Sequence, residues 1–180
     1  FAERNGLEWT DGQTLTAAIG QSYDLFTPLQ LANYIATLVG GGQHYEAHLL
    51  KNVKSYDNSS VIYAYDKAPL NTVEMSGSTV QAVKEGMHNL TTGSLSYYFS
   101  NCVVSAGAKT GTAETGIANT NNGVFVCFAP YDDPQIAVAV VIEKGGSGAA
   151  LASTAVDIVN SYFSQEEIGA VVIGENTLLK

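Results

Sequence analysis

The stretch Ala106-Gly107-Ala108-Lys109-Thr110-Gly111-Thr112-Ala113-Glu114 decides how the rest of the chain is read. A small Gly- and Ala-rich approach leads into a lysine, two hydroxyls and a glycine. The lysine is a compact point charge, each threonine adds a hydroxyl, and the glycine lets a ligand approach the backbone closely. Lys109 to Thr112 therefore looks like a strand edge built to hold an anion. Taken alone, the triplet is better read as an ordinary exposed strand end with a solvated lysine.

Outward from that stretch, a polar loop (115–122) precedes the run Gly123-Val124-Phe125-Val126-Cys127-Phe128-Ala129, and Ile136-Ala137-Val138-Ala139-Val140-Val141-Ile142 follows. Strands are expected at 103–113, 123–129 and 135–143. The last two are apolar throughout, which implies burial on both faces. Pro130 to Pro134 is too short for a crossover, so these two strands are antiparallel neighbours. A sheet covered on both faces needs helices on both sides, which gives an α+β fold. The closing helix, 149–163, is rich in alanine (Ala149, Ala150, Ala152, Ala155), which permits close packing on a sheet.

At 180 residues the chain is about one domain, and 46% hydrophobic with 14% charged residues is globular composition. A net charge of −9 with scattered lysines and arginines argues against nucleic acid and against an anionic membrane surface. No apolar run reaches the length of a bilayer span. The first residue is Phe1, from which we expect a processed, cut or truncated piece, so that a missing anchor here says nothing about the parent. Cys102 and Cys127 do not define a disulfide framework, and Cys127, inside an apolar strand, reads as a small buried hydrophobe.

Residues 1 to 26 read as irregular, with a short extended piece around Thr14 to Ile19. Thr27-Pro28-Leu29-Gln30 is a helix start, with Thr27 as N-cap, Pro28 in the first turn and Gln30 completing a capping box. Leu31, Ala32, Ile35, Leu38 and Val39 follow at helical spacing, and Gly40 to Gly42 ends the helix. His44 and His48 are four apart, but that spacing joins two metal ligands only on a helix, and no helix runs there. Residues 47–65 read as a β-hairpin turning at Asp57 to Ser60, its tyrosines covering a surface. Ser78-x-x-Gln81 resembles another capping box, opening an amphipathic helix over 78–90. The hydroxyl- and aromatic-rich 91–101 reads as a loop suited to a groove wall. The segment 165–180, including Ala170 to Ile173, reads as a tail beyond a domain spanning 1–164.

In order and spacing, several of these pieces together resemble the class B penicillin-binding proteins, of the elongation type. They are Ile19-Gly20-Gln21 with Thr27-Pro28-Leu29-Gln30-Leu31-Ala32; Lys109-Thr110-Gly111-Thr112-Ala113-Glu114; Phe128-Ala129-Pro130-Tyr131 with Pro134; and Ile136 to Glu143 followed by Gly145-Gly146. Lys-Thr-Gly is one of three signatures of the penicillin-recognising serine enzymes. Two departures are Ser22, where the family has a glycine, and Val124-Phe125, where it often places Trp-Phe. The resemblance covers about Trp9 to Phe163 and implies the C-terminal half of a transpeptidase domain of the penicillin-binding/serine β-lactamase-like fold.

In that family a serine of a Ser-x-x-Lys motif attacks the carbonyl between two terminal D-alanines of a peptidoglycan stem peptide, and an amine resolves the acyl-enzyme. The resemblance implies that Lys109 supplies positive charge, that Thr110 and Thr112 offer hydroxyls to the carboxylate of substrate or β-lactam, and that the Thr112 N–H is an oxyanion donor. Gly111 leaves room for the acyl chain. No serine here stands three before a lysine, and no Ser-x-Asn occurs. The nucleophile and middle motif are therefore expected upstream, in an N-terminal half that partners this chain, and the chain alone is expected to be inactive. No cofactor or metal is implied. The parent is expected on the extracytoplasmic face of a bacterial membrane, anchored, with cell-wall synthesis partners. The alternatives are a D,D-carboxypeptidase or β-lactam sensor of the same fold, or a non-catalytic cell-wall-binding module.

Overall fold

The structure is a computed structural model, and it describes all residues except 1, 22, 67, 118, 119 and 170–180. Its centre is a three-stranded antiparallel sheet. Strand β6 (Asn122–Ala129) lies between β5 (Gly107–Ala113) and β7 (Ile136–Ile142). The register runs without a bulge from Gly107↔Phe128 to Ala113↔Asn122, and from Gly123↔Ile142 to Ala129↔Ile136. The strands fall within a few residues of their expected bounds, in the expected order and sense.

Side chains alternate across a strand, and here each set meets a helix layer. Phe125, Cys127 and Ala129 pack with Ala152, Ala155 and Val159 of α5 (Ala152–Gly169). Phe128 of β6 packs with Ile35 of α2 (Pro28–Val39) and Met87 of α3 (Gly77–Thr92) on the opposite face, with Val126 beside them. Ala152 and Ala155 are fully buried, so the alanines do bring α5 close to the sheet. Burying a side chain such as Phe125 or Phe128 stabilises the fold by roughly 1.5–3 kcal/mol each.

Helix α2 starts as its sequence directs: Thr27 Oγ1 accepts from the Gln30 N–H at 3.2 Å, and Gln30 Oε1 accepts from the Thr27 N–H at 2.8 Å. The same device corrects the reading of the N-terminal region. Residues Asp11–Ala18 form helix α1, not an extended piece, capped reciprocally by Thr10 and Gln13. No α1 residue is buried, so its sequence carries no apolar stripe and the cap alone announces it. A second correction concerns α3, whose N-cap is Ser76, accepting from Thr79 N at 3.1 Å, rather than Ser78. Gln81 instead donates to Glu85 Oε1 and to the Tyr131 hydroxyl. The 91–101 segment is also more regular than a loop. It completes α3 and forms the short helix α4 (Ser96–Phe99).

Outside the main sheet, β1 (Gln43–His44) pairs with β4 (Asn71–Thr72), and β2 (Asn52–Lys54) forms the expected hairpin with β3 (Val61–Ala64). Neither face of that hairpin is buried. His44 and His48 lie apart in function: His44 belongs to β1, while the His48 ring stacks on Tyr65 with centroids 3.4 Å apart. A 3-10 turn (Gly148–Leu151) leads into α5, which continues through Gly169. Ser22 and the apolar patch at 170–173 lie outside the described residues.

Candidate active site

Strand β5 is an edge of the sheet, so its outer backbone rim is available to a ligand while β6 supports the other side. Alternation sorts the four candidate residues by face. Lys109 sits opposite Val126 and Gly111 opposite Val124, on the α2–α3 side. Thr110 sits opposite Phe125 and Thr112 opposite Gly123, on the α5 side. A ligand lying along the rim therefore meets a cation above and hydroxyls below the same four-residue strand.

Lys109 is exposed, and its Nζ donates to the Thr110 carbonyl oxygen at 2.5 Å. It stands at a cavity of about 520 Å³ whose walls are Ile35 and Leu38 from α2, Val83, Met87 and Leu90 from α3, and Val126. The Thr112 hydroxyl accepts from the Gly148 N–H at 3.4 Å, so its own proton remains to be donated to an acceptor on the rim.

Gly111 separates a packing role from a ligand role. A Cβ built there would meet nothing nearer than Val124 Cβ at 3.4 Å, an ordinary contact, and the backbone is not in the left-handed region. Nothing among the described residues requires glycine at 111, and without a side chain the strand there is open to close approach by a ligand. Gly148 is the opposite case. A Cβ there would lie 2.2 Å from the Gly111 oxygen and 2.3 Å from the Val124 oxygen. The Gly148 backbone is thus seated directly against β5 and β6, behind the candidate site.

The entry of β5 is held from the other side. Thr91, a buried polar residue, donates its hydroxyl to the Ala106 carbonyl at 2.7 Å, and His88 Nδ1–H donates to the same oxygen at 2.9 Å. The His88 ring in turn stacks on Tyr131, whose backbone N–H donates to Ser105 O at 2.9 Å. These supports at Gly148, Thr91 and His88 were not found from sequence. Gly148 follows a Gly-Gly pair read as part of the family pattern, whereas Thr91 and His88 carry no motif. The hydroxyl-rich 91–101 segment was expected at a substrate groove. It lines a separate cleft of about 440 Å³ beside Val103 to Ala106 instead of the Lys109 cavity.

Cys127 is fully buried, and burial, with Cys102 nearby, pushes its thiol up to about 12. It is the buried hydrophobe expected, with no part in the site. Cys102 is half-buried and burial raises its thiol too.

A Lys-Thr-Gly-Thr rim on the edge of an antiparallel sheet with helices on both faces is the arrangement expected from the resemblance to the penicillin-recognising enzymes. Comparison with known proteins agrees: the penicillin-binding protein transpeptidase domain matches residues 2–162. The chain belongs to that family. Penicillin-binding protein 2A of Bacillus subtilis is 31% identical over 190 residues, covering 97% of this chain and 25% of that protein. Peptidoglycan D,D-transpeptidase MrdA of Haemophilus influenzae is 27% identical, covering 91% of this chain and 27% of its own length. Among solved structures, penicillin-binding protein 2B of Streptococcus pneumoniae superposes with a TM-score of 0.76 at 30% identity, over 88% of this chain and 28% of that one. The chain thus spans about a quarter of the length of the curated relatives it matches.

Proposed function

We propose that this chain is the Lys-Thr-Gly part of a serine-type peptidoglycan D,D-transpeptidase, a target of β-lactams. The observation that carries the reading is Gly111: a glycine that packing does not require, between Lys109 and Thr112 on an open strand rim. The names of the relatives support the substrate class.

In the proposed reaction a serine Oγ bonds to the carbonyl carbon of the penultimate D-alanine, and the bond to the terminal D-alanine breaks. That residue leaves with a proton on its nitrogen. An acceptor amine then attacks the ester, takes the acyl group and returns the proton to the serine. Lys109 stabilises negative charge at the site, Thr110 and Thr112 bind the terminal carboxylate by donated O–H bonds, and the Thr112 N–H supports the oxyanion. No serine in these residues stands three before a lysine, so we assign the nucleophile and its lysine to the remaining part of the protein. Because the stem peptides lie outside the membrane, we place the whole protein on the extracytoplasmic face, anchored and working with other cell-wall synthesis proteins. Among the described residues no helix is long and apolar enough to cross a membrane.

The test is intact mass after exposure to benzylpenicillin. The whole protein is expected to gain one drug molecule, Lys109→Ala to acylate about a hundredfold more slowly, and the 180-residue chain to gain nothing. Uptake of the drug by the 180-residue chain itself would overturn the assignment of the nucleophile. An acceptor-amine assay separates transfer from simple hydrolysis.

A further inference from the structure

A second cavity, of about 480 Å³, lies where the 45–51 segment meets the end of β3, and it shares no lining residue with the Lys109 cavity. Its walls are Tyr45, His48, Leu49, Lys51 and Tyr65. The rings are fixed in place before any ligand arrives. His48 stacks on Tyr65 at 3.4 Å, and its Nδ1–H donates to the Leu50 carbonyl at 3.0 Å. The Tyr65 N–H donates to Lys51 O at 3.0 Å. Tyr45 is tied to α2 by Asn33, whose amide donates to the Tyr45 carbonyl at 3.0 Å, and its hydroxyl donates to Gln43 Oε1 at 2.7 Å. None of these groups contributes to either core cluster.

The chemistry of the walls narrows the occupant. Leu49 is wholly exposed, so the cleft is open to water and a purely apolar ligand would stay half wet. Desolvation first, and then the nearby carboxylates of Glu46 and Asp66, raise the Tyr65 phenol, and two carboxylates beside the cleft disfavour a phosphate or nucleotide. Three aromatic rings with phenol and ammonium groups at their edges suit a neutral ring that is apolar on its C–H face and polar at its rim. We infer that this cavity binds an acetamido sugar, as part of the glycan strand of the polymer whose stem peptides meet the Lys109 rim. The choice of sugar rests on the transpeptidase reading; the aromatic site does not.

The test uses triacetylchitotriose, which carries no stem peptide, with the 180-residue chain. Ligand-observed NMR is expected to show saturable binding with a Kd on the order of 1 mM. Tyr65→Ala should weaken it roughly tenfold, and Lys51→Met, which leaves the rings in place, should weaken it as well. Tyr56→Ala, exposed on the same hairpin but outside the cavity, should bind as the parent chain does. No saturable binding, or equal loss in Tyr56→Ala, overturns the sugar site. If the sugar fails to bind while the whole protein still takes up penicillin, this inference falls alone. If the sugar binds in the Tyr65-dependent way and penicillin is not taken up, the site stands and the transpeptidase reading falls.

Discussion

Replacing Gly148 by alanine tests whether the turn before α5 sets the position of the candidate site. The added Cβ would lie 2.2 Å from the Gly111 oxygen, 2.3 Å from the Val124 oxygen and 2.9 Å from the Gly111 nitrogen. The two oxygen contacts fall short of ordinary van der Waals separation by more than about 1 Å. All three atoms are backbone, so no side chain can swing aside. Either β5 and β6 shift outward or the turn lifts and the Gly148–Thr112 hydrogen bond breaks. Overpacking of this kind costs about 1–3 kcal/mol, and two rigid contacts place Gly148→Ala near 3 kcal/mol. With a urea dependence of roughly 2 kcal/mol per molar, the unfolding midpoint should fall by about 1–1.5 M. Gly111→Ala is the internal comparison. Its Cβ meets only Val124 at 3.4 Å, so its unfolding free energy should stay within about 0.5 kcal/mol of the parent chain, while in the whole protein it should block acylation by penicillin. A Gly148→Ala midpoint unchanged from the parent would refute the close-seating argument.

Three further outcomes follow from particular contacts. Thr91→Val removes the buried hydroxyl donated to Ala106 O and should cost about 1–2 kcal/mol in urea unfolding; a neutral result would mean that His88 alone anchors the strand entry. The Ser55 and Ser59 hydroxyls hold Asp57 at about 2, below its ordinary 3.8. A depressed carboxylate stabilises the turn above its unfolded value and loses that contribution as pH falls through about 2, so the Ser59 amide should titrate with a midpoint about there; a midpoint near 3.8 would contradict the hydrogen-bonded turn. Cys127, buried with its thiol raised to about 12, should resist iodoacetamide in the native chain and react only in denaturant. Native alkylation of Cys127, read by peptide mass, would show that the β6 core opens.

The sheet was legible because period and length are both strong signals there: Ile136 to Ile142 is apolar at every position and Pro130 to Pro134 admits only an antiparallel return. Helix α2 was legible because cap and apolar stripe agree, with Ile35 and Leu38 both buried. Helix α1 was not, because it has a cap at Thr10 but no stripe, and Gly12, Thr14 and Thr16 weaken its propensity. The α3 cap was misplaced by two residues because Ser76 and Ser78 are equivalent by composition, and only backbone geometry selects the first. At the site, Lys109 to Thr112 could be read from the triplet, but Thr91, His88 and Gly148 could not. Their partners are backbone atoms of distant elements, and a backbone carbonyl leaves no mark in a sequence.

The two faces of β5 divide the work of the proposed site in a way that the linear motif conceals. Lys109 and Gly111 belong to the α2–α3 face, where an apolar cavity opens beside the exposed cation, while Thr110 and Thr112 belong to the α5 face, where Gly148 occupies one lone pair of Thr112. A carboxylate bound along the rim can accept from the hydroxyls without drawing Lys109 into an ion pair. That leaves the ammonium to act on charge that develops on the other face. The arrangement makes a distinction that mutation can read in the whole protein. Removing the Thr112 hydroxyl with valine should weaken the capture of a carboxylate-bearing β-lactam. Removing the Lys109 charge should slow the acylation step after capture. If both variants lost acylation through affinity alone, the cation and the hydroxyls would be serving the same carboxylate, and the division between the faces would have no chemical meaning.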